Sequence, residues 1–274
     1  MDEGKINVNR IGRNNVTIHC CSSPDDGEGV NAQIIETTKS LVIVDTMLLR
    51  PYAQQLRDYA RRLGKPINRV FITHAHPDHW FGLEYFQDVD TFALDETIEE
   101  IQLVAKASMD FHTKEHGDKI ADRVYLPAHS VAEGEILIDG MTFNLHKIVN
   151  AEDSWMLVID LPKEKTLIAQ DLVYNKYHLF VGQPLANGAL CFDGWLRALE
   201  QFKAGGYELL LPGHGMPGDG SLFDDNMKYL RTMREIVRNS NGENFIQNAL
   251  KAFPEYRLKL MLELSAFFLY PVQR

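Results

Sequence analysis

The chain has 274 residues, 45% of them apolar and 24% charged, with a formal net charge of −10. That is enough chain for a sizeable core, and a single domain over 1–274 is expected. The acidic balance argues against nucleic acid or an anionic membrane as the main partner, and no uninterrupted apolar stretch reaches the length of a membrane span. In chain order, VTIHCC (16–21), AQIIET (32–37) and SLVIVDT (40–46) carry β-branched runs broken by polar turns and read as strands. PYAQQLRDYARRLG (51–64) opens on Pro and closes on Gly, which predicts a helix. NRVFITH (68–74) is a short buried strand, WFGLEYF (80–86) a short helix, TFALD (91–95) a strand, and 96–117 a long helix ending in Gly. Strands return from 123 to 170, with turns at 133–135, 139–140 and 162–165. A helix over 194–206, a strand over 207–215 and a helix over 225–240 follow. The apolar run LKLMLELSAFFLYP (258–271) is interrupted by Lys259 and Glu263 and is expected to pack on the body or at a homodimer seam. Two blocks of strands with accompanying helices predict two sheets with helices outside.

Cys20, Cys21 and Cys191 are odd in number and lack zinc-ribbon spacing, which predicts free thiols in a reducing compartment. No basic segment followed by an apolar one opens the chain, so the expected location is cytoplasmic, or periplasmic if a signal peptide has been removed.

The stretch FITHAHPDHW (71–80) places His74, His76, Asp78 and His79 within six positions. Two histidines two apart on an extended backbone point the same way and can meet one cation. Pro77 then stops the strand, so that Asp78 and His79 project from the following turn toward an adjacent second cation. Completing ligands are expected at other strand ends. Glu152 lies in a polar turn, Asp171 follows the apolar run 167–169, and His214 follows LLLP in LLLPGHG. Apart from this pattern, Asp171 would read as a helix cap and His214 as a loop histidine.

HAHPDH, then QDLV, then LPGHG in that order resemble the metallo-β-lactamase superfamily of hydrolases. The resemblance runs from about VDT at 44–46 to the helix near 240. It implies an α+β fold, the four-layer αβ/βα sandwich, with two metal ions at one edge, usually zinc, with iron or manganese as alternatives. By position it implies His74 and His76 at the first ion, Asp78, His79 and His214 at the second, and Asp171 as the bridge. The histidine that usually completes the first site is missing, and aligning WMLVIDLP puts Glu152 in its place, as in alkylsulfatase-like members. Asp153 is the neighbouring alternative and His146 a more distant one. The resemblance also implies that Asp45 supports the ligands rather than binding metal.

The implied activity is metal-dependent hydrolysis of an ester-like bond (ester, thioester, lactone, sulfate or phosphate) in a small molecule, with Asp78 and Asp171 in catalytic roles. Two other readings remain at this stage. One is a di-iron redox protein on the same fold, disfavoured because nothing after 240 is long enough for a flavodoxin-like domain. The other is an inactive metal-binding or regulatory protein, against which the intact ligand set argues. True β-lactamase activity is disfavoured by the missing histidine, and nucleic-acid processing by the acidic charge. The loop 172–195 supplies Tyr174, Tyr177 and His178 as substrate-contact candidates, although packing of the loop onto the body explains them equally well. His112 and His116 lie four apart on the predicted helix and read as a solvated face or a pocket lid.

Overall fold

The computed structural model describes residues 4–14, 16–186, 188–242 and 244–271. Strands β1 (Asn7–Arg13), β2 (Val16–Ser22), β3 (Asn31–Glu36) and β4 (Leu41–Val44) pair antiparallel in sequence order. Helix α1 (Arg50–Arg62) then crosses over to β5 (Ile67–Phe71), which lies parallel to β4. The helix starts where Pro51 fits the first turn, and it buries Tyr52, Ala53, Leu56 and Ala60 along one face. Arg61 and Arg62 sit in its last turn, where positive charge complements the helix dipole. The short helix α2 (Pro77–Trp80), strand β6 (Thr91–Ala93), helix α3 (Asp95–His116) and strand β7 (His129–Ser130) complete a seven-stranded sheet in the order β1 to β7.

The second sheet holds β8 (Gly134–Ile138), β9 (Met141–Val149), β10 (Trp155–Leu161), β11 (Thr166–Tyr174) and β12 (Leu209–His214), with β12 at one edge and β8 at the other. Four helices follow or interrupt it: α4 (Phe192–Lys203), α5 (Ser221–Asn239), α6 (Phe245–Ala252) and α7 (Leu260–Leu269).

Three apolar clusters define the layers. Between the sheets, Ile18, Val42 and Phe71 meet Phe143, Leu157, Ile168 and Leu211. On the outer face of the first sheet, Ile34, Ile43 and Val70 pack with Leu56 of α1 and Ile101 of α3. On the outer face of the second, Met156, Val158 and Leu167 pack with Trp195, Leu230, Phe245 and Leu262 from the four later helices. The order is therefore helix, sheet, sheet, helix, the αβ/βα sandwich expected from the sequence. Truncating a fully buried member such as Phe143 to Ala costs about 3–5 kcal/mol.

Two local expectations are corrected, and one element is added. Residues 80–86 do not form one α-helix: α2 ends at Trp80 and a 3-10 turn runs from Phe81 to Phe86. The segment is pressed against the loop after β4, where Gly82 donates to the Met47 carbonyl at 3.0 Å and a Cβ on Gly82 would lie 1.9 Å from the Thr46 carbonyl oxygen. Strand β11 does not end at Asp171 but continues to Tyr174, through register shifts on either side of Gln170, whose φ is +44°. The body also carries α6, which the sequence pattern had not suggested.

Candidate metal centre

Two ligand groups converge where the loops leave the strands. His74, His76, Glu152 and Asp171 form one, and Asp78, His79 and His214 the other, with one ligand atom from every member of a group lying within 4.8 Å of the rest. His74 and His76 follow β5, and Pro77 at the first turn of α2 turns the chain so that Asp78 and His79 face the same space. Glu152 comes from the turn between β9 and β10, Asp171 from the irregular part of β11, and His214 from the last residue of β12.

Asp171 joins the two groups. Its Oδ2 lies 3.9 Å from His74 Nε2 and 3.3 Å from His214 Nε2, while its Oδ1 lies 3.3 Å from His79 Nε2. Glu152 Oε1 is 3.1 Å from His76 Nδ1 and its Oε2 is 3.6 Å from His74 Nε2. Asp78 Oδ2 sits 3.4 Å from both His79 Nε2 and His214 Nε2. Gly213 makes room for this: a Cβ there would fall 1.7 Å from Asp171 Oδ1.

A second ring of polar groups fixes which nitrogen of each histidine faces the centre. His79 Nδ1 is 2.7 Å from Asp45 Oδ2 and His214 Nδ1 is 3.0 Å from the Glu28 carbonyl, so each Nδ1 carries a proton and each Nε2 faces the centre. Thr73 donates its hydroxyl to Asp45 at 2.8 Å and stands 3.0 Å from His74 Nδ1, which orients that ring in the same sense. Asp45 also accepts the Thr73 amide at 2.9 Å and the Gln170 side-chain amide. It does so with a φ of +63°, a backbone strain that a non-glycine residue bears where the surroundings over-determine it. Asp153 accepts the Ala75 amide at 3.1 Å and the Ser154 amide at 2.7 Å; it buttresses the loop that carries His74 and His76 and stands outside both ligand groups. His146 faces Phe202 and Asp160, away from the centre.

The electrostatics show what the groups lack. Asp78 Oδ2, His79 Nε2, both Glu152 oxygens, Asp171 Oδ1 and His214 Nε2 are buried and have no hydrogen-bond partner among the described residues. Burial pushes the Glu152 carboxyl up to about 8, against the pull of His76. Burial also opposes charge on Asp171, yet His79 and His214 hold its carboxyl well below the usual carboxylate range. His74 is held well below its ordinary value, first by burial and then by His79 and His76, and stays neutral. Buried ligand atoms without partners are left unsatisfied; divalent cations, displacing the imidazole protons, would satisfy all of them at once. Imidazole nitrogens and carboxylate oxygens are the donor set that zinc, iron and manganese accept. The three cysteines are free and buried and belong to neither group.

A cavity of about 680 Å³ opens over this floor. His76, Asp78, Glu152, Asp171 and Tyr174 line its polar end, together with Glu28, whose carboxyl is pushed up to about 8 by burial and then by Asp78. Leu103, Val104 and Phe111 of α3 and Met261, Phe267 and Phe268 of α7 line most of the rest, with Glu100, Ser108, His112 and Gln183 among them. Helix α7 is tied to the loop at 181, where the Val181 amide donates to Ser265 Oγ at 3.0 Å. Phe180, from that loop, bridges floor and rim with ring centroids 5.4 Å from His76 and 5.8 Å from Phe268.

Of the three substrate-contact candidates, Tyr174 alone lines the cavity, and its hydroxyl donates to Asp171 at 2.5 Å while its ring stacks on His214. The other two are corrected. Tyr177 packs behind His214 with its ring against Gly29, and His178 is buried in contact with Tyr229, its Nδ1 3.0 Å from that hydroxyl. Aromatic composition marked the loop, but only the packing decides which rings turn inward to the core. Of the two expectations for His112, a solvated face and a pocket lid, the position fits the second: it is buried and lines the cavity. Sequence reasoning missed Glu28, Thr73 and Gln170, which carry no local signature, and the apolar α3–α7 wall.

The family model described as the metallo-beta-lactamase superfamily matches residues 25–214, well over half of the chain, and the protein belongs to that superfamily. Among solved structures, a metallo-beta-lactamase from Pontibacter korlensis is similar with a TM-score of 0.63 and 21% identity, covering 82% of this chain and 99% of that one. DIM-1 metallo-beta-lactamase is similar with a TM-score of 0.65 and 19% identity over 85% and 99% of the two chains. FIM-1 from Pseudomonas aeruginosa, solved in a mono-zinc form, gives a TM-score of 0.61 at 16% identity over 84% and 97%. At these identities the likeness is one of fold. The alkyl/aryl-sulfatase BDS1 of Saccharomyces cerevisiae is 43% identical over 56 residues, which span 20% of this chain and 9% of that protein. No helix among the described residues is long and apolar enough to cross a membrane.

Proposed function

We propose that this chain is a dinuclear zinc hydrolase that cleaves an ester-like bond in a small molecule whose remaining part is uncharged and apolar. The observation that carries the reading is Asp171, which belongs to one ligand group and lies 3.3 Å from His79 and His214 of the other. His74, His76, Glu152 and Asp171 would hold one ion, and Asp78, His79, His214 and Asp171 the second. Such ions, when bound, acidify solvent and polarise a substrate oxygen.

The chain's own part is positioning. Asp45, Thr73 and the Glu28 carbonyl hold the imidazoles in the tautomer that presents Nε2. Tyr174 donates to Asp171 and keeps its Oδ2 directed at the floor. Asp78, with Oδ2 unpartnered, is placed to accept a hydrogen bond from the attacking solvent and orient it. The α3 and α7 faces exclude water beside the scissile bond.

The wall supports the substrate class. No Lys or Arg is among the described residues lining the cavity, so none of these would hold a carboxylate or phosphate remote from the reacting end. Sulfate monoesters of alkyl and aryl alcohols therefore head the substrate panel, a choice that the 56-residue similarity to an alkyl/aryl-sulfatase also favours. Esters, thioesters, lactones and phosphodiesters follow. Elemental analysis of the purified protein, joined to that panel in chromogenic form, tests the reading. Two zinc ions per chain and turnover that ceases on chelation are expected. Two iron ions with a visible absorption band and no hydrolysis would replace it with the redox reading.

A further inference from the structure

Outside the floor, one more set of metal-ligand side chains meets. His112, Glu115 and His116, at the end of α3, bring one ligand atom each to within 4.8 Å of one another. The histidines are one helical turn apart, so their rings lie nearly parallel, at an interplanar angle of 12° with centroids 6.2 Å apart. Glu115 Oε2 is 3.9 Å from His116 Nε2.

Two features separate this set from an ordinary charged helix end. His112 is 7% exposed, and its Nδ1 is buried without a hydrogen-bond partner; the same is true of His116 Nε2. His112 is also held in place, edge-on to Phe81 at 5.6 Å and to Phe111 at 5.1 Å. A buried imidazole nitrogen without a partner lacks a donor, an acceptor or a cation. No described donor fills the gap, while a second imidazole and a carboxylate stand beside it.

We infer that His112, Glu115 and His116 form a third divalent-cation site, of the zinc class, on the α3 wall of the cavity. Two imidazoles at i and i+4 with a carboxylate are a zinc donor set. The fourth position faces solvent beside the exposed Glu115, which leaves it to water. Because His112 lines the cavity, an ion here would place positive charge on a wall whose described residues include no Lys or Arg.

The test is metal content at controlled free zinc. Full-length protein is equilibrated against zinc buffers and its zinc-to-protein ratio measured for wild type, His116→Ala, His112→Phe and the neighbouring control Lys114→Ala. The first variant alters a partly exposed side chain, and the second keeps a ring against Phe81, so melting temperatures near wild type certify the fold. Wild type and Lys114→Ala are expected to carry one zinc more than the two histidine variants, whatever the floor contains. Equal zinc in wild type and His116→Ala would overturn the site, as would the same loss in Lys114→Ala. Cobalt substitution gives a second readout: a tetrahedral visible band present in wild type and weaker in His116→Ala.

Discussion

The floor and the wall of the one cavity are built on opposite terms. On the floor His74, His79, Asp171 and His214 are each fixed by a neighbour, Asp45 alone takes hydrogen bonds from Thr73, His79 and Gln170, and Gly213 admits no larger residue. The wall is two helix faces held by apolar contact, and its rim stands open, with Leu103 84% and Phe267 70% exposed. A hydrogen-bonded network sets positions to a fraction of an ångström, which ligation and chemistry need. Apolar contact sets only area and shape, which is enough to choose a substrate and leaves room to change it. The difference predicts that substitutions on the floor abolish turnover for every substrate, whereas substitutions on the wall redistribute turnover among substrates.

The largest effect is expected on the floor itself. Asp78→Ala should lower kcat by about 10²–10⁴ and change KM far less, the range for loss of a group that handles a proton in the transition state. Steady-state kinetics with metal analysis decide it; near-normal kcat in a protein of full metal content would remove Asp78 from the mechanism. Next comes the network behind the ligands. Asp45→Asn preserves shape but weakens the acceptor for His79, and metal affinity or activity should drop by about 10–100-fold. If competition with a zinc indicator shows wild-type affinity, the floor is less interlocked than its hydrogen bonds suggest.

The wall should respond more gently and selectively. Burying a phenyl ring against a ligand stabilises by about 1.5–3 kcal/mol, so Phe267→Ser should raise KM about tenfold or more for long-chain substrates. Short-chain substrates, which do not reach the rim, should be processed as before. A chain-length series separates the outcomes: a uniform loss at every length would mean that α7 supports the floor, through Ser265 and the loop at 181, and is not a specificity wall.

The same contrast explains what could be read from the sequence. His74, His76, Asp78 and His79 are legible because the chemistry is compressed into six positions, and Asp171 and His214 because an apolar run before a ligand recurs at QDLV and PGHG. Glu152 emerged once WMLVIDLP was aligned as a strand, and the structure places its carboxylate between His76 and His74. The layer order followed from two blocks of strands with flanking helices. The wall was illegible because Leu103 and Phe267 come to one cavity only through tertiary packing, and each alone is an apolar residue on a helix. Glu28 was hidden for a related reason: its backbone carbonyl, not its side chain, touches His214, and any residue type has a carbonyl.

The effect most remote from turnover concerns the ground behind the wall, where His178 sits against Tyr229 and Tyr256. Burial lowers its pKa from 6.5 to about 4 in the folded protein, whereas the unfolded chain keeps the ordinary value. Between those two values the unfolded state binds more protons, so stability falls as pH is lowered from about 6.5 toward 4 and levels off below. His178→Gln should be less stable than wild type at pH 7, since it loses ring packing, but it cannot take up that proton. The gap in melting temperature between the two proteins should therefore narrow on acidification, by an amount read from thermal melts across the pH series. A gap that stays constant would show that His178 keeps its solution pKa in the fold, and hence that the loop after β11 admits water beneath the wall instead of sealing against the body.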